Sequence, residues 1–233
     1  MRPDGALVRH EGGTRHLEDL GVDGARHQGG QAVLALAVVD AQPPVLRDGG
    51  GPGPDVADDA VGVGAQLLAQ LGLPQGLAEE AEDVRARLTE RLEGRTPTRI
   101  YSSPLSRCRR LSEALGYEAP ILDARLLELN FGEWELQRFD EITDPRLQLW
   151  YDDYLHVAPT GGESFTEQAA RVADFIEELR DELAQNEDSS ACEVLVFTHG
   201  GVLLSAGLWA DWYPLEDAFS HQSPYGAICT LEL

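Results

Sequence analysis

The run Glu193–Phe197 (EVLVF) passes without a break into Thr198-His199-Gly200-Gly201, and nothing else in the chain constrains the fold as tightly. Consecutive apolar residues of this kind suit a strand buried on both faces, as in the middle of a parallel sheet. The segment after the two glycines reads as a helix, so the strand turns into a helix at its carboxyl end. Around it, helical and extended patterns alternate. Leu77, Ala81, Val84, Leu88 and Leu92 fall on one helical face, and Arg99–Ser102 (RIYS) reads as a short strand. Pro104 stands near the first turn of another helix, where a missing N–H costs little. A short strand and a turn lie within Ala119–Leu129. Ser164 with Glu167 three residues on forms a capping box for a helix that buries Phe165, Ala169, Val172, Ile176, Leu179 and Leu183. Ala227–Leu233 makes a final strand. The pattern predicts an α/β fold, three layers with a mostly parallel sheet, in which ligands bind beyond the carboxyl ends of the strands.

The chain changes character near residue 76, which divides it into a segment 1–76 and an α/β domain 77–233. The first part holds 15 of the 24 glycines and no aromatic residue, whereas all 16 aromatic residues lie at or beyond Tyr101. A folded domain without aromatic side chains would lack its largest source of buried area. Asp48–Pro54 (DGGGPGP) reads as coil, Gln31–Asp40 as a strand or a buried helix, and Val61–Leu73 as a further helix. Three readings stand for this atypical, low-complexity segment: a disordered extension, a folded domain, or a stretch translated from a shifted frame or start site.

Acids number 41 against 18 bases, and every base is arginine, which gives a net charge of −23. Such a surface argues against nucleic acid and anionic membranes as partners, since both call for positive footprints. It suits a halophilic protein, because salt screens the self-repulsion. No apolar run approaches a membrane span and the amino terminus lacks a signal-like stretch, so a cytoplasmic location is expected. Cys108, Cys192 and Cys229 are scattered and odd in number, which fits a reducing compartment. No spacing suggests a metal site.

Two polar clusters sit at strand ends. Ser102–Cys108 (SSPLSRC) turns from strand into helix, where backbone N–H groups and Arg107 would suit a phosphate. The other is His199 before its two glycines, which let a ligand approach the backbone closely. These two clusters occur in order with LLELNFGEWE at 126–135 and TGGESF at 160–165. Together the four motifs resemble the histidine phosphatase superfamily, the phosphoglycerate-mutase-like proteins, over residues 77–233. The stretches GEWELQRFDEI, WYDDYLHVAPTGGESF and SPYGAI are most similar to its α-ribazole phosphatase branch, which acts late in cobalamin assembly.

The resemblance implies a phosphomonoesterase that needs no metal or other cofactor and acts on a small phosphorylated metabolite through a phosphohistidine. It leaves monomer and dimer both open. Arg107 would clamp the phosphoryl group, His199 would donate to its oxygens, and Glu128 would protonate the leaving alcohol, with burial keeping that carboxyl protonated. Glu163 matches a pocket-lining position, or else is a helix-start carboxylate favoured by the dipole. The family's nucleophile is a histidine on the first strand within Arg-His-Gly or Arg-His-Thr. Here Arg9-His10 matches that pair, with Arg9 as a phosphate ligand and His10 as nucleophile. Glu11 replaces the small residue, and His10 lies much further before Ser102 than is usual in the family. His16 and His27 have less context still. The rival reading is a catalytically inactive phosphate-binding relic, or a truncated or misframed relative without a nucleophile. Trp134 and Trp150 read as packing, Cys108 as structural, and His156 and His221 as loop contacts. If the acidic surface is an adaptation to salt, the unfolding midpoint should rise with added KCl. Full stability in dilute buffer would contradict that expectation.

Overall fold

The computed structural model describes residues 32–40, 75–135, 137, 141–185, 192–223 and 226–233. Five strands are β1 (Val33–Asp40), β2 (Arg99–Ser102), β3 (Ile121–Leu122), β4 (Glu193–His199) and β5 (Ile228–Glu232). They form one sheet in the order β3-β2-β4-β1-β5. β4 runs parallel to both β1 and β2, β2 runs parallel to β3, and only β5 is antiparallel. The helices are α1 (Gln75–Leu92), α2 (Ser106–Ala114), α3 (Arg146–Asp152), α4 (Phe165–Ala184) and α5 (Gly200–Trp209).

Alternation along the two central strands assigns their side chains to opposite layers. Leu34 and Leu36 of β1 join Val194 and Val196 of β4 against Val172, Ile176 and Leu179 of α4 and Val202 of α5. Ala35 and Ala37 join Leu195 and Phe197 on the other side, against Val84, Leu88 and Leu92 of α1 and Leu111 of α2. Helices thus cover both faces, giving the expected three-layer α/β/α arrangement. β2 coincides with the predicted RIYS strand, and β4 extends the predicted strand through to His199. Ser164 caps α4 in a complete capping box with Glu167. Val84, Leu88 and Leu92 of the predicted helical face are buried, whereas the side chains of Leu77 and Ala81 lie outside the described residues. Pro104 precedes the first residue of α2 by two positions. Among the described residues, no helix is long and apolar enough to cross a membrane.

The segment before residue 76 supplies more than a coil. The sequence of Gln31–Asp40 fits either strand or helix, and Val33–Asp40 is a strand inside the sheet, bonded to β4 on one side and β5 on the other. A short apolar run buried on both sides carries no alternation that would separate the two possibilities, and the pairing partners decide. The expected coil at Asp48–Pro54 and helix at Val61–Leu73 lie outside the described residues. Because Leu36 is 1% exposed, Leu36→Ala should cost about 2–5 kcal/mol in urea unfolding. An unchanged midpoint would mean that β1 contributes nothing to the fold.

Candidate active site

The site forms where β2 and β4 end side by side. The backbone N–H of Ser103 donates to the carbonyl of Phe197 (2.9 Å), tying the turn after β2 to the last residues of β4. His199, the final residue of β4, is fully buried. Its Nδ1 lies 3.3 Å from a terminal nitrogen of Arg107 on α2, and its Nε2 lies 2.8 Å from Ser103 Oγ. A guanidinium can only donate, so Nδ1 accepts from Arg107 and the ring proton sits on Nε2, directed at the serine hydroxyl. Cys108 Sγ is 3.4 Å from the same Nε2 and is fully buried, so it packs as part of the floor of the site. Arg107 is itself only 7% exposed.

Glu128 arrives from the other side. Thr198 Oγ1, one residue before His199, donates to the carbonyl of Leu126 (2.9 Å) and so anchors the segment that carries Glu128. The Glu128 carboxylate accepts from the N–H of Leu129 (2.8 Å) and from Gln168 Nε2 (3.2 Å), and it approaches the N–H of Gly201 (3.4 Å). It therefore stands at the amino end of α5, two residues beyond His199. A larger residue at Gly201 would displace the Glu128 carboxylate from this position. A Cβ at that position would fall 2.4 Å from Glu128 Oε1, closer than carbon and oxygen can pack.

Glu163 is held elsewhere. Arg171 grips its carboxylate with two N–H···O bonds (2.9 and 2.7 Å), while one Glu163 oxygen accepts from the N–H of Asn130 (3.0 Å). The same guanidinium donates to the carbonyls of Arg125 (2.6 Å) and Glu128 (3.2 Å). Glu163 and Arg171 thus form a brace beneath the loop that presents Glu128. Ser103, Gln168 and Arg171 received no role from the sequence. Gln168 falls three residues after Phe165 and four before Val172, a buried stripe position where a polar residue is itself a signal.

Of the residues singled out, Arg107, His199 and Glu128 converge, and Glu163 supports them from below. Arg9 and His10 lie outside the described residues, as do His16 and His27. The strand running up to the site from the amino-terminal segment is β1, whose pairing shifts register between Val38 and Asp40 so that Asp40 stands opposite His199. His156 is paired with Asp153 (2.9 Å) on the surface, and His221 stacks on Tyr213 at 4.3 Å. Trp134 and Trp150 pack edge to face at 6.0 Å, as a packing role requires. Among the described residues, no group of three or more His, Cys, Asp or Glu could hold a metal ion.

Known proteins give a consistent picture. Residues 69–233 match the profile of the histidine phosphatase superfamily (branch 1). A Hydrogenobacter thermophilus protein provisionally named phosphoserine phosphatase 2 is 32% identical over 112 residues, 45% of this chain and 51% of that protein. The adenosylcobalamin/α-ribazole phosphatase of Escherichia coli is 32% identical over 81 residues, 34% of this chain and 37% of that protein. The matches therefore span about half, or less, of the length of these relatives. The structure of the α-ribazole phosphatase from Shigella flexneri superimposes with a TM-score of 0.61 at 18% identity, covering 85% of this chain and 89% of that one. At that identity the likeness speaks for the fold.

One support of the site can be tested by pH. Asp123 caps the turn Ala124–Leu126 that leads to Glu128, and Arg125, which it holds at 2.6 Å, also reaches Glu178 at 2.6 Å. Burial acts to raise the Asp123 carboxyl, but the side-chain and backbone bonds from Arg125 together outweigh it and hold the group below its ordinary 3.8. A depressed carboxyl stabilises the fold above its unfolded value and loses that contribution as pH falls through the folded value. Asp123→Asn should therefore lower the urea midpoint near neutral pH, with the deficit shrinking toward ~pH 3. A deficit independent of pH would contradict the assignment.

Proposed function

This chain belongs to the histidine phosphatase superfamily, and on that premise we propose that it is a phosphomonoesterase working through a phosphohistidine, with α-ribazole 5′-phosphate as substrate. The reading rests on Arg107, His199 and Glu128 meeting at the carboxyl ends of β2 and β4 beside the amino end of α5. The substrate follows the motifs around Gly132–Ile142 and Trp150–Phe165, which are most like the α-ribazole phosphatase branch. Such a metabolite puts the enzyme in the cytoplasm.

The chemistry divides into two sides. On the phosphate side, Arg107 clamps two phosphoryl oxygens with its planar fork, and the Nε2–H of His199 turns from Ser103 to a third oxygen. These donors are buried, so beyond that one exchange of partner at His199 they stabilise charge that builds up at phosphorus with little reorganisation. On the leaving side, Glu128 delivers a proton to the departing alkoxide oxygen. Its N–H contacts favour the carboxylate, while a docked phosphate dianion favours the protonated acid, so substrate binding itself readies the group.

The acceptor is His10, next to Arg9. It is the histidine that matches the family's Arg-His pair, and among the described residues His156 and His221 are engaged elsewhere. The His10 imidazole nitrogen attacks phosphorus as the P–O ester bond breaks and Glu128 gives up its proton. Water, deprotonated by the Glu128 carboxylate, then breaks the P–N bond, releasing inorganic phosphate and restoring both groups.

Phosphate release from α-ribazole 5′-phosphate and p-nitrophenyl phosphate in high salt tests this reading. His199→Ala should lower turnover by about a hundredfold or more, as the loss of a preorganised donor does. His10→Ala should abolish an acid-labile phosphoenzyme. A folded protein that hydrolyses neither ester would overturn the proposal.

A further inference from the structure

Gln168 is an oddity of α4. It lies in the buried stripe between Phe165 and Val172 and has no solvent exposure. A buried amide needs partners for one oxygen and two N–H groups, and an apolar residue would fill the same place without that demand. Its Nε2 donates to Glu128 Oε1 at 3.2 Å, while its Oε1 is buried with no hydrogen-bond partner among the described residues. Both groups crowd against Gly201. A Cβ there would lie 2.8 Å from Gln168 Oε1 and 3.0 Å from Nε2, as well as 2.4 Å from Glu128. The missing side chain of Gly201 is what lets the amide and the carboxylate share this space.

We propose that Gln168 is a positioning residue that holds Glu128 in both of its protonation states, an inference that rests on Glu128 being the acid of the phosphatase reaction. With Glu128 ionised, Nε2 donates to it, the arrangement observed. With Glu128 protonated, a half-turn of the amide brings Oε1 to accept the carboxyl O–H, which gives the unpartnered oxygen its use. No proton moves to or from Gln168; it touches neither phosphorus nor the leaving oxygen. Other side chains of similar reach would fail in one state. A lysine would lock Glu128 as the carboxylate, a glutamate would repel it, and a methionine would hold neither form. A neutral amide can donate to the base and accept from the acid.

Three variants in the full chain test this, with kcat, KM, the pH–rate profile and the urea midpoint measured for each. Gln168→Met removes a buried unpartnered oxygen, so the midpoint should stay level or rise, while kcat falls about tenfold with KM within about twofold. Gln168→Glu places a second carboxyl beside Glu128, so the limb of the profile belonging to Glu128 should move to higher pH. In a Glu128→Gln background, Gln168→Met should cost no further activity, since the group it positions is gone. A lowered midpoint in Gln168→Met with unchanged kcat, or an unmoved limb in folded Gln168→Glu, would overturn the positioning role and leave the phosphatase reading intact. If Glu128→Gln alone leaves kcat unchanged, Glu128 is not the acid and both proposals fall together.

Discussion

A central strand that ends in polar residues while still buried is the constraint on which this site depends. β4 is paired on both edges, and every residue from Val194 to His199 is buried. Thr198 and His199 cannot reach bulk water, so each must find a partner inside the protein. Thr198 finds the carbonyl of Leu126 and thereby draws in the segment bearing Glu128. His199 finds Ser103 and Arg107 and thereby fixes the turn between β2 and α2. Two loops far apart in sequence are thus brought to one point by satisfying two adjacent residues. The same bonds that answer a folding problem hold the groups proposed to act on phosphate.

Arginine resolves the apparent conflict between a chain of net charge −23 and the anionic substrate proposed for it. Long-range repulsion from exposed acids is screened within about 10 Å at moderate salt, whereas a buried guanidinium acts at contact distance. Arg107 is nearly inaccessible, so its charge is concentrated where the phosphoryl group would dock. Arg171 answers a different need. Its fork binds Glu163 while its remaining N–H groups hold the carbonyls of Arg125 and Glu128, a combination that a point-charge ammonium could not reproduce.

How far the sequence could be read depended on whether each residue's partner was local. The capping box at Ser164 and Glu167 involves neighbours one turn apart and was legible, as were β2, β4 and the placing of His199 at a strand end. The role of Glu163 was not, because its partner Arg171 stands eight residues on, across the start of a helix, where dipole and ion pair read alike. Gln168 interrupts an apolar stripe, yet the reason appears only when Glu128 from another segment lies beside it. β1 was ambiguous for a related cause. Its apolar residues face helices on both sides, so periodicity was silent and only pairing with β4 and β5 identifies a strand.

The polarity of β1 bears on how a histidine from the amino-terminal segment could join the site. β1 runs parallel to β4, so its first residue, Val33, lies at the edge of the sheet away from His199. Eight residues at about 3.3 Å each make the strand about 26 Å long, which is the distance a histidine preceding it must recover. From His10 to Val33 the chain could extend at most about 75 Å, so reach is not the obstacle. The obstacle is entropy, because the connecting residues must be ordered to hold an imidazole in line with phosphorus. A histidine carried at the carboxyl end of the strand would be delivered by the sheet itself, as His199 is by β4. At that end β1 instead brings Asp40 level with His199. The residues proposed for the phosphate and leaving-group sides are therefore held by the sheet, whereas the proposed acceptor lies outside the described residues.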